Sequence, residues 1–403
     1  MKNTILLFCS LLIIQLNYGQ CNGRYQNEIF SSVSVSTVNY SDVYTDARHE
    51  MDIYTPDGDT ETNRPVVFYM HGGSFTGGDK NLTDCVDFCT TMAKRGYIAI
   101  SSNYRLSLFP LTFVFDQEEQ YRTVLKAVAD IKAAIRYVRK DHDNGNSLGS
   151  DPNGIYIGGY SAGAVLSLHL AYIDQISDLP TSPINVQNLV NSIGGDLEGD
   201  AGNDGYSSEI HGIISFAGGI NDLNWIDSND EPLVCVQGDN DGTVSYNCAP
   251  GLGINSVLTL CGTGEMIPQA NSVGITNDAI TYNGEDHNWA ASGSGNPLFD
   301  TAVQFAVDFL YPLLPCNNIT SNNLTTATEL TIYPNPASEI INVNSDVKIN
   351  EIKIYNALGK LLIYNNVNNN NFSVNIDDLL PGIYFIELLK ENGVPETKSF
   401  MIQ

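Results

Sequence analysis

Strand-like and helix-like segments alternate along this chain from about residue 30 to residue 310. Short apolar runs rich in β-branched and aromatic residues predict strands at 33–38, 51–54, 66–70, 97–101, 154–158, 213–216, 233–237 and 279–282. Helical spacing of apolar residues predicts helices at 84–95, 117–140, 162–173 and 301–310. This alternation favours an α/β fold, in which a mostly parallel sheet carries helices on both faces.

The two ends of the chain have different patterns. Residues 1–19 combine an early lysine, an apolar stretch and a terminal glycine, which predicts a signal peptide and therefore export. The apolar stretch is too short to span a bilayer comfortably and no other segment is long enough, so we expect no stable membrane span. Residues 315–328, in which Asn, Thr and Ser predominate, predict a linker, and the short alternating strands of residues 329–403 predict a small all-β sandwich.

Residues 20–314 are therefore expected to form the α/β unit. An insertion rich in Gly, Asn and Asp interrupts it at about residues 175–210. Because it joins one predicted strand to the next, we expect it to act as a cap over the strand ends. Its acidic part, residues 196–204, does not have the spacing of an EF-hand calcium loop and is predicted to be solvated.

Charge and cysteine content narrow the choice of partners and compartment. The chain has 46 acidic and 19 basic residues, which disfavours nucleic acids and anionic membranes because both attract Lys and Arg. Seven cysteines follow the predicted leader, and export implies that some of them are oxidised. Cys248 and Cys261 close a short loop and are predicted to form a disulfide, while the odd total leaves at least one free thiol.

The strongest chemical signal is the segment Gly159-Tyr160-Ser161-Ala162-Gly163, which fits G-x-S-x-G. It lies between a predicted strand and a predicted helix, where a tight turn requires small neighbours and lifts the serine hydroxyl above the sheet. The N-terminus of the following helix favours a developing negative charge. We therefore predict that Ser161 is a nucleophile.

A serine hydroxyl needs a histidine base, which a carboxylate orients. Proteins with this turn have the chain order serine, acid, histidine, which leaves His211 and His287 as candidates. His211 immediately precedes a strand and no suitably placed acid comes before it, whereas His287 follows the last strand of the predicted sheet. We predict His287 as the base. The acid should follow the preceding strand, where Asp239 and Asp241 both qualify.

Backbone N–H groups should stabilise the negative charge that develops on a substrate carbonyl oxygen. Ala162 follows the nucleophile and is one expected donor. A second donor is expected from His71-Gly72-Gly73-Ser74-Phe75, whose small residues follow the predicted strand at 66–70. His71 is predicted to brace that loop. No residue pattern in the chain implies a cofactor or a metal ion.

These motifs, with Tyr104-Arg105-Leu106 and Asp151-Pro152-Asn153, resemble those of carboxylesterases and hormone-sensitive-lipase-like esterases of the α/β-hydrolase superfamily, over about residues 30–312. The resemblance implies an α/β-hydrolase fold and hydrolysis of carboxylic esters through an acyl-enzyme. Its G-x-x-D-x-x-V segment implies Asp241 as the acid, and its oxyanion loop implies the N–H groups of Gly73 and Ser74 beside that of Ala162. Ser74 stands where the lipase-like branch usually has a third glycine.

The C-terminal strands carry three further motifs: Ile332-Tyr333-Pro334-Asn335-Pro336-Ala337, Tyr355-Asn356-Ala357-Leu358-Gly359-Lys360 and Leu380-Pro381-Gly382-Ile383-Tyr384-Phe385. They resemble the sorting domain of the type IX secretion system of Bacteroidota. The resemblance implies that this machinery exports the protein across the outer membrane, for release or surface attachment. A carbohydrate-binding sandwich is the alternative, disfavoured because no cluster of aromatic residues suits stacking on sugars.

Three functions are compatible with the sequence. The first is a secreted serine carboxylic-ester hydrolase acting on a small-molecule or polymer-linked ester. The second uses the same three residues in a feruloyl or acetyl-xylan esterase or a serine peptidase. The third is a non-catalytic binding or adhesion protein with the same fold, which would have no use for a nucleophile, a base, an acid and an oxyanion loop together.

Overall fold

The computed structural model describes residues 21, 23–317, 331–356, 360–390 and 395–402. The predicted signal peptide and most of the predicted linker lie outside these residues. The chain divides into two compact units, Met1–Ile319 and Thr320–Gln403. Within the described ranges, each helix is too short or too polar to cross a membrane.

One eight-stranded sheet organises the first unit. The strands of this unit are β1 (Val33–Asn39), β2 (Glu50–Pro56), β3 (Arg64–Met70), β4 (Ile98–Ser102), β5 (Ser150–Tyr160), β6 (Ile213–Phe216), β7 (Leu233–Gly238), β8 (Cys248–Pro250), β9 (Thr259–Cys261) and β10 (Asn277–Tyr282). The sheet has the order β1-β2-β4-β3-β5-β6-β7-β10, and β8 and β9 form a separate hairpin. Only β1 and β2 run antiparallel to their neighbours in this sheet, which confirms the prediction of a mostly parallel sheet.

Helices cover both faces of this sheet. They are α1 (Thr83–Lys94), α2 (Pro110–Phe115), α3 (Gln117–Asp143), α4 (Ala162–Tyr172), α5 (Val186–Leu189), α6 (Thr263–Val273) and α7 (Pro297–Leu310). Successive residues of β3 belong to different core clusters, because strand side chains alternate between faces. Val66 and Phe68 pack with residues of α3 and α4, whereas Val67 and Tyr69 pack with residues of α1 and α7. The α/β fold with two helical layers is therefore confirmed.

The pattern of apolar residues did not predict three of the helices: the four-residue α5, α2 and α6. Residues 106–115 are apolar except for Ser107 and Thr112 and show no helical periodicity, yet α2 forms there with Pro110 in its first turn. In α6 the sequence contains Pro268, which normally argues against a helix interior. Helix α2 packs against α3, and α6 packs against β7 and β10.

The insertion at about residues 175–210 packs against α3. Glu198 forms ion pairs with Lys132 and Arg136 of that helix, at 3.2 and 2.6 Å. Asp200 pairs with Arg105 at 2.6 Å. These acidic side chains are thus matched with basic partners, and no group of three or more potential metal ligands occurs among the residues that the structure describes.

Two disulfides close the first unit. Cys248 pairs with Cys261, which confirms the predicted bridge, and Cys21 pairs with Cys316. Three free thiols are buried, at Cys85, Cys89 and Cys235. The first bridge closes the base of a short loop, whereas the second joins the two ends of the unit.

We expect these two bridges to contribute unequally to stability. The Cys21–Cys316 pair is separated by 295 residues and the Cys248–Cys261 pair by 13. Since a longer closed loop restricts the unfolded chain more, replacing both cysteines of the long-range bridge by Ser should lower the free energy of unfolding by about 5–6 kcal/mol, against about 3 kcal/mol for the short-range bridge. Denaturant unfolding followed by tryptophan fluorescence measures this in the full chain, because both tryptophans, Trp225 and Trp289, lie in the first unit. A larger loss for the short-range pair would contradict the expectation.

The second unit is a single antiparallel sheet of five strands, which bears out the predicted all-β domain. They are β11 (Thr331–Tyr333), β12 (Ile340–Asn356), β13 (Leu361–Asn375), β14 (Gly382–Lys390) and β15 (Pro395–Ile402). The long β12 pairs with β11, β13 and β14. The asparagine tract at residues 368–371 lies within β13, where the register with β12 shifts between Asn344 and Ile349.

Candidate active site

Ser161 lies in the turn between β5 and α4, as its motif predicts. Its backbone has φ 56° and ψ −121°, a strained conformation for a residue with a side chain. Its N–H donates to the carbonyl of Phe216 at 2.9 Å, which fixes the turn to the neighbouring strand β6. A Cβ atom on Gly159 would lie 2.5 Å from the carbonyl oxygen of Met70, and one on Gly163 would collide with the same oxygen. The close approach to β3 therefore requires both glycines.

His287 faces this serine from the loop that follows β10. Its Nε2 lies 2.7 Å from Ser161 Oγ, and its Nδ1 lies 2.7 Å from Asp241 Oδ2. All three side chains are buried or nearly so. A histidine held in this way can accept the serine proton while the carboxylate stabilises the positive charge that results.

The geometry separates the two aspartates that the residues alone left open. Asp241 Oδ1 accepts hydrogen bonds from the N–H groups of Thr243 and Val244, both at 2.9 Å, which leaves Oδ2 for His287. Asp239 is exposed and accepts a hydrogen bond from the N–H of Gly284 at 2.6 Å. Asp241 thus contacts the histidine, and Asp239 supports the loop that carries it.

Neither of the other two histidines named in the sequence analysis, His211 and His71, is hydrogen-bonded to the nucleophile. His211 contacts the backbone of Ile155, in the middle of β5 and six residues before Ser161. His71 stacks on Tyr104 with ring centroids 4.3 Å apart, and its Nδ1 lies 2.6 Å from the carbonyl oxygen of Gly72. Burial lowers the pKa of His71 to about 4, so this imidazole is neutral and suits a bracing role.

The loop after β3 lies directly against the nucleophile. A Cβ atom on Gly72 would lie 3.2 Å from Ser161 Cβ. Gly73 and Ser74 both have positive φ, at 120° and 52°. In the described part of the chain, no acceptor takes a hydrogen bond from the N–H groups of Gly73, Ser74 or Ala162, the last of which starts α4. These three donors are therefore available to a developing oxyanion.

An apolar cavity of about 70 Å³ opens beside Ser161 and Ala162. One wall comes from α2 and α3, and the other comes from residues 243–260, whose tip between β8 and β9 we call the hairpin loop (residues 251–258). The wall residues are Ser74, Phe75, Phe113, Gln120, Val124, Val165, Asn221, Thr243, Val244, Gly251, Leu252, Val257, Leu258 and Leu260.

None of these wall residues belongs to the insertion at 175–210 that was expected to cap the site. The hairpin loop lines the cavity beside Ser161 instead. The physical reason is that the acidic side chains of the insertion pair with basic side chains of α3 and with Arg105. The hairpin loop, by contrast, is closed at its base by the Cys248–Cys261 disulfide and contacts the start of α3.

Two contributors to the site were not identified from the sequence. Tyr160 donates a hydrogen bond from its hydroxyl to the carbonyl oxygen of His287 at 2.7 Å, and its ring stacks on the imidazole with centroids 5.2 Å apart. Gln120 lies in the cavity wall with its amide buried. The sequence indicated only that Tyr160, at the variable position of G-x-S-x-G, is adjacent to the nucleophile. It did not indicate the contact with His287.

Comparisons with known proteins agree with this geometry. The sequence profile of the BD-FAE family matches residues 51–253, about half of the chain, and that of the secretion system C-terminal sorting domain matches residues 331–403. A carboxylic ester hydrolase of Bombus ignitus is 35% identical over 128 residues, 32% of this chain and 21% of that protein. Acetylcholinesterase of Gallus gallus is 31% identical over 121 residues, 30% of this chain and 15% of that protein. The chain thus matches about a fifth or less of the length of these curated relatives.

Among solved structures, a truncated carbohydrate esterase from gut microbiota is similar, with a TM-score of 0.52 and 18% identity. The match covers 71% of this chain and 97% of that chain. At this level of identity the similarity supports the fold of the first unit.

Proposed function

Because this chain belongs to the BD-FAE family and carries a secretion system C-terminal sorting domain, we propose that it is an exported serine carboxylic-ester hydrolase that works through an acyl-enzyme. The observation that carries the proposal is the hydrogen-bonded chain from Ser161 Oγ through His287 to Asp241. A non-catalytic role would not require these three side chains and the unpaired N–H groups beside them.

The reaction follows from the positions of these groups. His287 Nε2 takes the hydroxyl proton as Ser161 Oγ attacks the carbonyl carbon of the ester. The carbonyl oxygen becomes negative and accepts hydrogen bonds from the N–H groups of Gly73, Ser74 and Ala162. The ester bond then breaks, and the alcohol leaves with the proton from His287. Water repeats the sequence on the acyl-enzyme, which frees the carboxylic acid and restores the serine.

The C-terminal unit supports the second half of the proposal. We infer that it directs the chain to the type IX secretion machinery, which would place the hydrolase outside the outer membrane. The two disulfides of the first unit are consistent with an oxidising compartment.

A panel of p-nitrophenyl esters of increasing acyl length tests the activity. The purified chain should hydrolyse at least one member, with saturation kinetics. Methyl ferulate, acetylated xylan and a peptide amide in the same panel distinguish a general carboxylesterase from the other enzymes that could use these residues. Absence of hydrolysis across the whole panel would refute the proposal.

We expect the hydroxyl of Tyr160 to position the base. Tyr160→Phe keeps the ring stacked on His287 but removes the hydrogen bond to its carbonyl, so kcat should fall about five- to tenfold, the equivalent of one hydrogen bond of about 1–1.5 kcal/mol. KM should change little, because Tyr160 is not among the residues that line the cavity. Steady-state kinetics on the best ester of the panel provides both constants.

Tyr156→Phe is the matched control. Tyr156 also lies in β5 and donates its hydroxyl to a backbone carbonyl, that of Leu313 at 2.8 Å, but it has no contact with the site. The kcat of this variant should stay within about twofold of the wild type, because the one hydrogen bond that it loses is remote from His287 and Ser161. Equal losses in the two variants would show that Tyr160 has only a structural role.

A further inference from the structure

Gln120 joins the two walls of the cavity. It lies in the first turn of α3 and is only 2% exposed. Its Nε2 donates to the carbonyl oxygen of Phe113 at 2.7 Å and to that of Ser256 at 3.2 Å. Its Oε1 accepts a hydrogen bond from the N–H of Leu258 at 2.8 Å. One buried amide therefore connects α2 on one side with the hairpin loop on the other.

The helix α2 has little other support. Two of its six residues, Leu111 and Phe115, are large, apolar and exposed, and so are Leu108 and Phe109, which directly precede it. Its inner residue Phe113 faces the cavity, with its ring 6.2 Å from that of Phe75. A short helix with few buried contacts depends strongly on its hydrogen bonds for a fixed position.

The hairpin loop depends on the same connection at its tip. The disulfide fixes its base, whereas Val257 and Leu258 at the tip line the cavity. Besides the bonds with Gln120, Ser256 Oγ donates to the carbonyl oxygen of Val114 at 2.8 Å. The side chains of Gln120 and Ser256 thus both join the hairpin loop to α2 by hydrogen bonds, and Gln120 forms more of them.

We propose that Gln120 determines which esters the site accepts, by holding α2 and the hairpin loop together and so limiting the length of the apolar group that enters beside Ser161. This inference rests on the proposed function. Both N–H groups of the amide and its oxygen are already bonded, so Gln120 acts through the walls and not by binding the substrate. The cavity between the two walls measures about 70 Å³, so moving the walls apart should admit a longer apolar group.

The test replaces Gln120 by Met, which has a similar length but cannot form the three hydrogen bonds. Two series are compared: p-nitrophenyl acetate, butyrate and octanoate vary the acyl side, and acetate esters of ethanol, butanol and octanol vary the alcohol side. In one of the two series, the ratio of kcat/KM for the longest to the shorter esters should rise about tenfold. Ser256→Ala is a milder variant and should shift the same ratio in the same direction, about two- to threefold.

Gln269→Met is the matched control. Gln269 is half-buried and donates one hydrogen bond to the carbonyl oxygen of Ile226 at 2.9 Å, but it does not line the cavity. This variant should leave the length preference unchanged. Equal effects of Gln120→Met and Gln269→Met, or ratios unchanged in both series, would overturn the inference.

Hydrogen exchange gives a readout that does not depend on activity. In Gln120→Met, the amides of residues 110–115 and 251–258 should exchange faster, while those of the rest of the first unit are unchanged. Unchanged exchange in both segments would overturn the inference. A wild-type chain that hydrolyses no ester would instead refute the proposed function, and the exchange result would still decide whether Gln120 holds the walls.

Discussion

Replacing Ser161 by Ala is expected to lower kcat about 10⁵- to 10⁶-fold on any ester that the wild-type chain hydrolyses. The variant keeps the cavity, the three N–H donors and the histidine, but it has no atom that can form the acyl-enzyme. Its residual rate should come from binding and from the oxyanion donors alone. KM should change little, since the hydroxyl contributes little to binding the intact ester.

Ser167→Ala is the control for this substitution. Ser167 lies on α4, six positions after the nucleophile, and its hydroxyl donates to the carbonyl oxygen of Gly163 at 2.8 Å. Its loss should leave kcat within about threefold, because one local hydrogen bond is removed and no reacting group is changed. Retention of more than a hundredth of the wild-type rate by Ser161→Ala would contradict the assignment of the nucleophile.

The second large effect is expected at the acid. Asp241→Asn should lower kcat about 10⁴-fold. The oxygen of the new amide would accept from the N–H groups of Thr243 and Val244, as Asp241 Oδ1 does, so its NH2 group would face His287 Nδ1. The imidazole would then carry its proton on Nε2 and could not accept the proton of Ser161.

Asp239→Asn provides the matched comparison, two residues away in the same turn. Asp239 is exposed and its contact is with the N–H of Gly284, which an amide oxygen can also accept. We expect kcat to change by less than about threefold, as for other exposed polar substitutions. A larger loss of kcat in Asp239→Asn than in Asp241→Asn would show that Asp239 is the catalytic acid. Steady-state kinetics of the pair on one ester is sufficient.

Much of the fold and the order of the site residues could be predicted from local sequence signals. The alternation of strands and helices placed Ser161 and His287 at the ends of strands in one parallel sheet, and such ends lie along one edge. The choice between Asp239 and Asp241 could not be made in this way from the residues. Both aspartates follow β7 within three positions. What distinguishes them is that the N–H groups of Thr243 and Val244 bind the carboxylate of Asp241, and this orients it toward His287.

The cavity walls were less predictable because they depend on contacts between distant segments. The composition of residues 175–210 predicted a surface segment but carried no information on what it would pack against. Gln120 contacts the hairpin loop more than 130 residues later in the chain, which no local pattern indicates. Pairings such as Glu198 with Arg136 likewise become visible only in the folded chain.

The central claim is that Ser161 is activated by His287, and covalent labelling tests it most directly. The wild-type chain is treated with a p-nitrophenyl alkylphosphonate, and the site of modification is identified by peptide mass spectrometry. We predict a single adduct on Ser161 with loss of nitrophenol, at a rate that falls at least about 10³-fold in His287→Ala, since the base is removed. An adduct on another residue, or labelling of Ser161 at the same rate without His287, would contradict the account.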